Sequence, residues 1–194
     1  MISDALRPAP DASYSAQLAR PPMTQADAAL AAQMIGRPLR GQSAVAVRCG
    51  WGLPAVLRVS PRLDDGTPFP TLFWLTCPLA NRAVGTLEAS GVMRELTAHV
   101  GEDGAMRTHY RAAHRNYVAA RDKLGDAVPG DPSAGGMPGR VKCLHALYGH
   151  YLATGDNPVG AWVAEQVEPM PCPAPCVGDA QRQRAAGGSV RGGD

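Results

Sequence analysis

Residues 135–145 read Gly-Gly-Met-Pro-Gly-Arg-Val-Lys-Cys-Leu-His, a glycine-rich loop that runs into a predicted helix. The pattern places Cys143 and His145 in the first turns of this helix, where backbone N–H groups lack partners and the helix dipole is positive. Anions and thiolates are stabilised at such a position. A cysteine there can be a metal ligand, a nucleophile or a buried apolar thiol, so its chemistry depends on what the rest of the chain brings to it.

Helical patterns extend on both sides of this stretch. Downstream, apolar residues repeat at helical spacing over 141–152 and stop at Gly155. Upstream, the longest amphipathic pattern runs over 106–124 in steps of four and three. Shorter patterns start after Thr24 and run over 81–88, over 92–100 and around Trp162 and Val163, and we expect four or five of these helices to pack on the rest of the fold.

Three β-rich runs lie between the first of these helices and the others, at residues 43–49, 55–60 and 71–76. Their connections are short, so neighbouring strands should be antiparallel. The first and third runs then point the same way, and Cys49 and Cys77, which close them, should lie at one edge of the sheet. The sequence therefore predicts an α+β fold with a small antiparallel three-stranded sheet packed with helices.

Length and composition predict one domain with a segment at each end. The chain has 194 residues, of which 45% are hydrophobic and 19% charged, and it is rich in glycine and proline. Residues 1–22 are proline-containing and poor in apolar side chains, so we expect a disordered arm there, and the same reasoning predicts a disordered tail at 178–194. Residues 23–177 are expected to form the single α+β domain.

Charge and cysteine usage narrow the classes of function. A formal net charge of +2 argues against nucleic acid as a bulk partner, and no apolar run is long enough to span a membrane. The start of the chain shows no export pattern, so a cytoplasmic protein is expected. Five cysteines, an odd number, are then expected to be free thiols rather than a disulfide framework.

Thiol and imidazole groups at the sheet edge and the helix start predict a metal centre. We expect its ligands to be Cys49, Cys77, Cys143 and His145, with Cys172 and Cys176 as alternative ligands. Zinc is the expected metal because a histidine is present and paired C-x-x-C motifs are absent, and an iron–sulfur cluster is the alternative. The opposing interpretation is that each cysteine is a small buried apolar residue.

Two other interpretations of the 135–145 stretch stay open. Cys143 could be a nucleophile, but residues two apart project about 200° apart on a regular helix, so His145 could serve it only at an irregular helix start. The metal centre has the same requirement. Alternatively, Gly135, Gly136, Arg140 and Lys142 could hold a small phosphorylated ligand, although the complete phosphate-loop pattern is absent.

Several short blocks of the sequence are distinctive when taken together. They are Arg-Cys-Gly-Trp-Gly-Leu-Pro at 48–54, Asp-Gly-Thr-Pro-Phe-Pro-Thr at 65–71, Leu-Thr-Cys-Pro at 75–78, Leu-Glu-Ala-Ser-Gly at 87–91, Val-Lys-Cys-Leu-His at 141–145 and Asn-Pro-Val-Gly at 157–160. In this order they resemble the bacterial domain-of-unknown-function family five hundred and one over roughly residues 35–160.

The resemblance implies a small cytoplasmic bacterial protein and carries over no catalytic residues. Cys172 and Cys176 lie outside the resembling part. Together with the cysteines, the resemblance favours a metal-binding interaction or regulatory module. The sequence does not identify the protein partner of such a module.

Overall fold

The computed structural model of the chain describes residues 3–4, 6, 8, 10–125, 128 and 133–178. Within them the chain forms seven helices and five strands, two of the strands having only two residues each. In chain order these are β1 (Ser3–Asp4), α1 (Tyr14–Ala19), α2 (Gln25–Ile35), β2 (Ser43–Arg48), β3 (Pro54–Val59), β4 (Phe73–Leu75), α3 (Pro78–Ala89), α4 (Val92–Glu102), α5 (Gly104–Asp122), α6 (Leu144–Thr154), α7 (Pro158–Val167) and β5 (Pro171–Cys172).

Local capping chemistry sets several helix ends where the sequence predicts them. The Thr24 side chain accepts a hydrogen bond from the Asp27 amide at 3.1 Å and starts α2, and Gly36 ends it in the left-handed conformation at φ 71°. Asn157 caps α7 by accepting from the Gly160 amide at 2.8 Å. The two ends of α2 confirm the prediction, because a cap depends on residues within one turn of each other.

The strand order β2-β3-β4, antiparallel throughout, confirms the α+β prediction. The third strand is shorter than the predicted run, since only Phe73–Leu75 pair with β3. The predicted edge is confirmed as well: Arg48 pairs with Pro54, and the Cys77 amide donates to the Ala55 carbonyl oxygen at 3.3 Å. Cys49 and Cys77 therefore both follow strands that end where β3 begins.

Both faces of the sheet are covered, which explains why β3 is almost entirely buried. On one face Val56, Phe73 and Leu75 join the main core with the helices α3 to α7. On the other face Leu57 and Val59 pack with Ala31 of α2. Helix α6 lies close to the sheet at Gly149, where an added Cβ would lie 3.3 Å from the carbonyl oxygen of Phe73.

The segment 1–22, predicted as a disordered arm, contains ordered residues that pack on the domain. Helix α1 buries Gln17, whose side-chain amide donates to the Ala153 carbonyl oxygen at 2.9 Å, and Leu6 is also buried. Strand β1 pairs with β5. The sequence did not indicate that residues 1–22 pack on the domain, because their contacts are made by individual residues and not by an apolar stripe. Of the predicted tail, only Gly178 lies among the described residues.

We expect Tyr14→Phe to lower the free energy of unfolding by about 1–2 kcal/mol, because the hydroxyl of Tyr14 bonds both His150 and the Ala113 carbonyl oxygen. The matched control is Tyr151→Phe, one residue after His150, whose hydroxyl makes no hydrogen bond among the described residues. Urea denaturation of both variants measures the difference. Equal stability of the two would show that α1 is not held through this hydroxyl.

Candidate metal centre

Glu88, Cys143 and His145 bring their side-chain ligand atoms together at the start of α6. These atoms all lie within 4.8 Å of one another, and each of the three residues is half-buried. Among the described residues no other group of three histidine, cysteine, aspartate or glutamate side chains is this close. Carboxylate, thiolate and imidazole are all ligands of divalent transition metals, so the cluster has the chemistry of a small metal centre.

Cys143 and His145 can meet because α6 starts later than the sequence pattern suggests. Cys143 is the N-cap residue and its backbone is extended, with φ −147° and ψ 107°, so the regular helix begins only at Leu144. Only inside a regular helix do the side chains of residues two apart project about 200° from each other. The irregular helix start that both site interpretations required is therefore present.

The segment before Cys143 is held by other parts of the fold. The Val141 amide donates to the Thr97 hydroxyl at 2.9 Å, and the Tyr110 hydroxyl donates to the Arg140 carbonyl oxygen at 3.1 Å. The amide of Lys142 donates to the carbonyl oxygen of Gly135 at 2.7 Å. Helices α4 and α5 thus fix where the Cys143 side chain can lie.

Glycine is required at 135 and 136 by close packing. Both residues have positive φ, and a Cβ at Gly135 would lie 2.6 Å from the Leu147 side chain. A Cβ at Gly136 would lie 2.8 Å from the Arg140 carbonyl oxygen. The two glycines are therefore explained by the fold of the loop itself.

Glu88, in the last turn of α3, is the ligand candidate that the sequence analysis missed. Its Oε1 atom accepts from the Leu144 amide at 2.6 Å and lies 3.1 Å from Nδ1 of His145. A carboxylate thus already occupies the helix N-terminus that was considered for a phosphate, beside the predicted anion-site residues Gly135, Gly136, Arg140 and Lys142. Only the packing of α3 against α6 joins Glu88 to Cys143, and no spacing in the sequence signals that packing.

His145 is oriented from both sides of its ring. Its Nε2 atom lies 3.1 Å from the carbonyl oxygen of Asn81, and since a carbonyl oxygen can only accept, Nε2 carries the hydrogen. Nδ1 faces Glu88. The hydrogen bond with the Cys143 side chain, the Asn81 carbonyl oxygen and the Glu88 carboxylate together raise the pKa of His145 to about 9, although burial acts against them. The three partners thus favour a positive charge at this point.

Two surface clefts meet at Cys143. One has a volume of about 470 Å³, reaches both Cys143 and His145, and is lined by the stacked rings of Phe69 and Trp74, whose centroids are 5.1 Å apart. The other, about 430 Å³, is lined by the glycine loop with Arg140 and Lys142. The candidate centre is therefore open to solvent and to molecules that enter these clefts.

The structure divides the predicted ligand set. Cys143 and His145 come together with Glu88, whereas Cys49 and Cys77 do not belong to that group. Cys77 is buried, Cys49 and Cys172 are half-buried, and Cys176 is exposed. All five cysteines are free thiols, in agreement with the absence of a disulfide framework.

A family profile described as "Protein of unknown function (DUF501)" matches residues 45–165, which is more than half of the chain. The chain belongs to this family. The match confirms the resemblance carried by the sequence blocks, and the DUF501 region includes Glu88, Cys143 and His145 but ends before Cys172. No curated protein and no solved structure matches the chain. Among the described residues of this DUF501 member, no helix combines the length and the apolar character that crossing a membrane requires.

Proposed function

We propose that the protein is a zinc-binding interaction or regulatory module whose zinc ligands are Glu88, Cys143 and His145. The observation that carries the proposal is the convergence of these three side chains within 4.8 Å from two different helices. In a tetrahedral zinc site neighbouring ligand atoms lie about 3.5 Å apart, so small side-chain rotations are sufficient to close the site.

The histidine has the arrangement typical of metal ligands. Metal-binding histidines generally donate their second ring N–H to a carbonyl or carboxylate, which fixes the ring and its tautomer. The Asn81 carbonyl oxygen accepts from Nε2 of His145 and leaves Nδ1 directed toward Glu88. Nδ1 is therefore the proposed ligand atom.

The ligand types favour zinc over an iron–sulfur cluster at this position. A cluster requires several thiolates, and this group contains one. Three protein ligands leave one coordination position, which a donor group from the cleft beside Phe69 and Trp74 can fill. This open position is the basis for proposing that the metal takes part in binding a partner molecule rather than only in folding.

We expect zinc to raise the stability of the unmodified protein and not that of Cys143→Ser or Glu88→Gln. Serine is a favourable N-cap residue, so Cys143→Ser should fold normally without metal. Glutamine can still accept from the Leu144 amide, so Glu88→Gln removes the charge while keeping the helix cap. At a free zinc concentration about 100 times Kd, the stabilisation expected for the unmodified protein is about 2.7 kcal/mol.

Thermal unfolding with and without zinc, together with the metal content of protein purified under reducing conditions, measures this effect. Glu95→Gln, an exposed acid on α4, is the matched control and should respond to zinc like the unmodified protein. The proposal fails if Cys143→Ser and Glu88→Gln both keep the full zinc response. Fast labelling of Cys143 by thiol reagents without any zinc response would instead indicate a nucleophilic thiol.

A further inference from the structure

Two cations beside the candidate metal centre have no partner among the described residues. Arg140 and Lys142 line the cleft of about 430 Å³ that reaches Cys143, and both side chains are exposed. Within the part of the chain that the structure describes, neither side chain forms an ion pair or a hydrogen bond. By contrast, three other arginines each bind an aspartate, namely Arg20, Arg40 and Arg48. The fold therefore does not use the charges of Arg140 and Lys142, and they are available to a molecule in the cleft.

The charges that line the two clefts at Cys143 are of one sign. Among the described residues, no aspartate or glutamate belongs to either lining, whereas Arg140 and Lys142 do. A cleft lined by charges of one sign attracts ions of the opposite sign and raises their local concentration. Zinc bound by the Glu88 carboxylate and the Cys143 thiolate has its two positive charges balanced, so the two cations set the sign of the site. The clefts therefore suit an anionic partner.

The larger of these two clefts, about 470 Å³, offers an aromatic surface. The rings of Phe69 and Trp74 stack there at an interplanar angle of 15°, and both residues are half-buried. The guanidinium of Arg37 lies 4.8 Å from the centroid of the Trp74 ring, and Arg37 is exposed. Aromatic side chains are frequent anchors of protein interfaces, because they cover a large apolar area and have few torsion angles to restrict. This cleft therefore suits an aromatic side chain of a partner.

The two clefts form one groove, because Thr71 and Cys143 belong to the lining of both. The aromatic pair lines only one of the clefts and the two cations line only the other, so the metal centre lies between these two ends. A small anion reaches one of the three places. A peptide in extended conformation advances about 3.3 Å per residue and can present a different side chain to each of them. The groove therefore favours a peptide segment over a compact ligand.

We propose that this groove binds an acidic peptide segment of a partner protein. An aromatic side chain of the peptide packs on Phe69 and Trp74, and carboxylates of the peptide lie at Arg140 and Lys142. A further carboxylate between these contacts fills the coordination position that the three zinc ligands leave open, since carboxylate oxygen is a zinc ligand. The inference rests on the proposed function for this last contact only, because the aromatic pair and the two cations are present without metal.

Fluorescence anisotropy of a dye-labelled probe peptide, Trp-Gly-Asp-Glu-Asp, with the full-length protein in the presence of zinc tests the groove. The peptide should bind about tenfold more weakly to the double variant Arg140→Gln/Lys142→Gln, because the charges that attract its carboxylates are removed. The double variant Arg111→Gln/Arg115→Gln removes two exposed cations of α5 and is the matched control with the same net charge. It should bind the peptide like the unmodified protein. A peptide with alanine in place of tryptophan, and one with asparagine and glutamine in place of the acids, should each bind about tenfold more weakly.

The zinc response of the same variants separates this inference from the proposed function. Arg140→Gln/Lys142→Gln should keep the full stabilisation by zinc, since neither residue is a proposed ligand. An unmodified protein that responds to zinc, but binds the peptide no more tightly than this double variant does, would refute the peptide groove alone. A protein without a zinc response that still loses peptide affinity in the double variant would contradict the metal site and leave the groove standing. The groove is also ruled out as a peptide site if the uncharged peptide binds as tightly as the acidic one, or if ATP binds more tightly than the peptide.

Discussion

Gly160→Ala is expected to destabilise the protein by about 3 kcal/mol, because α6 and α7 are in close contact at this residue. A Cβ at Gly160 would lie 2.2 Å from the carbonyl oxygen of Leu147 and 2.5 Å from Cβ of Tyr151. Both are atoms that cannot rotate away, so the two helices would have to separate. Urea denaturation, with the free energy of unfolding extrapolated to water, measures the loss.

Gly85→Ala is the matched control for this substitution. Gly85 lies inside α3, and a Cβ there would meet no atom within 4 Å. Because alanine is a better helix former than glycine, Gly85→Ala should be neutral or stabilise the protein by up to about 1 kcal/mol. If Gly160→Ala is as stable as Gly85→Ala, α6 and α7 do not approach as closely as described.

Mild acid is expected to weaken the fold through His150, which is fully buried on α6. The Asn157 side-chain amide donates to Nδ1 of His150 at 3.0 Å, and Nε2 faces the Tyr14 hydroxyl, an arrangement that suits the neutral ring. Burial lowers the pKa of His150 to about 3, while Asp156 acts weakly in the opposite direction. The folded protein therefore resists protonation at a site that ionises freely once the chain unfolds.

The direction of the pH effect follows from which state binds the proton. The unfolded chain protonates this histidine near pH 6.5 and the folded chain only near pH 3, so stability is complete above pH 6.5 and falls as the pH decreases between these values. The slope is about 1.4 kcal/mol per pH unit, which gives a loss of about 2 kcal/mol at pH 5. His145 affects the stability of the fold in a different pH range, because its pKa is raised. Its stabilising contribution is complete below pH 6.5 and is lost as the pH rises through about 9.

Denaturation series between pH 6.5 and 5 test this expectation, because the contribution of His145 is already complete in this range. His150→Gln should begin from a lower stability, since the native packing is lost, but should show little further loss toward pH 5. His99→Gln, which removes an exposed histidine from α4, should keep the slope of the unmodified protein. A flat profile for the unmodified protein would mean that His150 is protonated in the folded state.

Features that depend on neighbouring residues could be read directly from the sequence. The cap at Thr24, the glycine that ends α2 and the three β-rich runs act over a few residues, so composition and spacing are sufficient. The common edge of Cys49 and Cys77 could also be predicted, because short connections between three strands leave little choice of direction.

Features that depend on packing between distant segments could not be read in this way. Residues 1–22 look disordered in isolation because they lack an apolar stripe, yet Gln17 and Tyr14 find polar partners on α6 and α5. Likewise His150 is fully buried among partners from other parts of the fold. The contacts of Gln17 and Tyr14 join residues about a hundred positions apart or more and leave no periodic signal.

The candidate site combines both kinds of information. By itself the sequence determined the fold class, the free thiols, the family and the residue types available to a metal at Cys143 and His145. Only the tertiary structure decided how these groups are combined: the N-cap conformation of Cys143 lets it meet His145, and the packing of α3 on α6 adds Glu88. Ligand atoms must lie within a few ångströms of one another, and across segments far apart in the chain that distance is set by helix packing, which residue spacing does not encode.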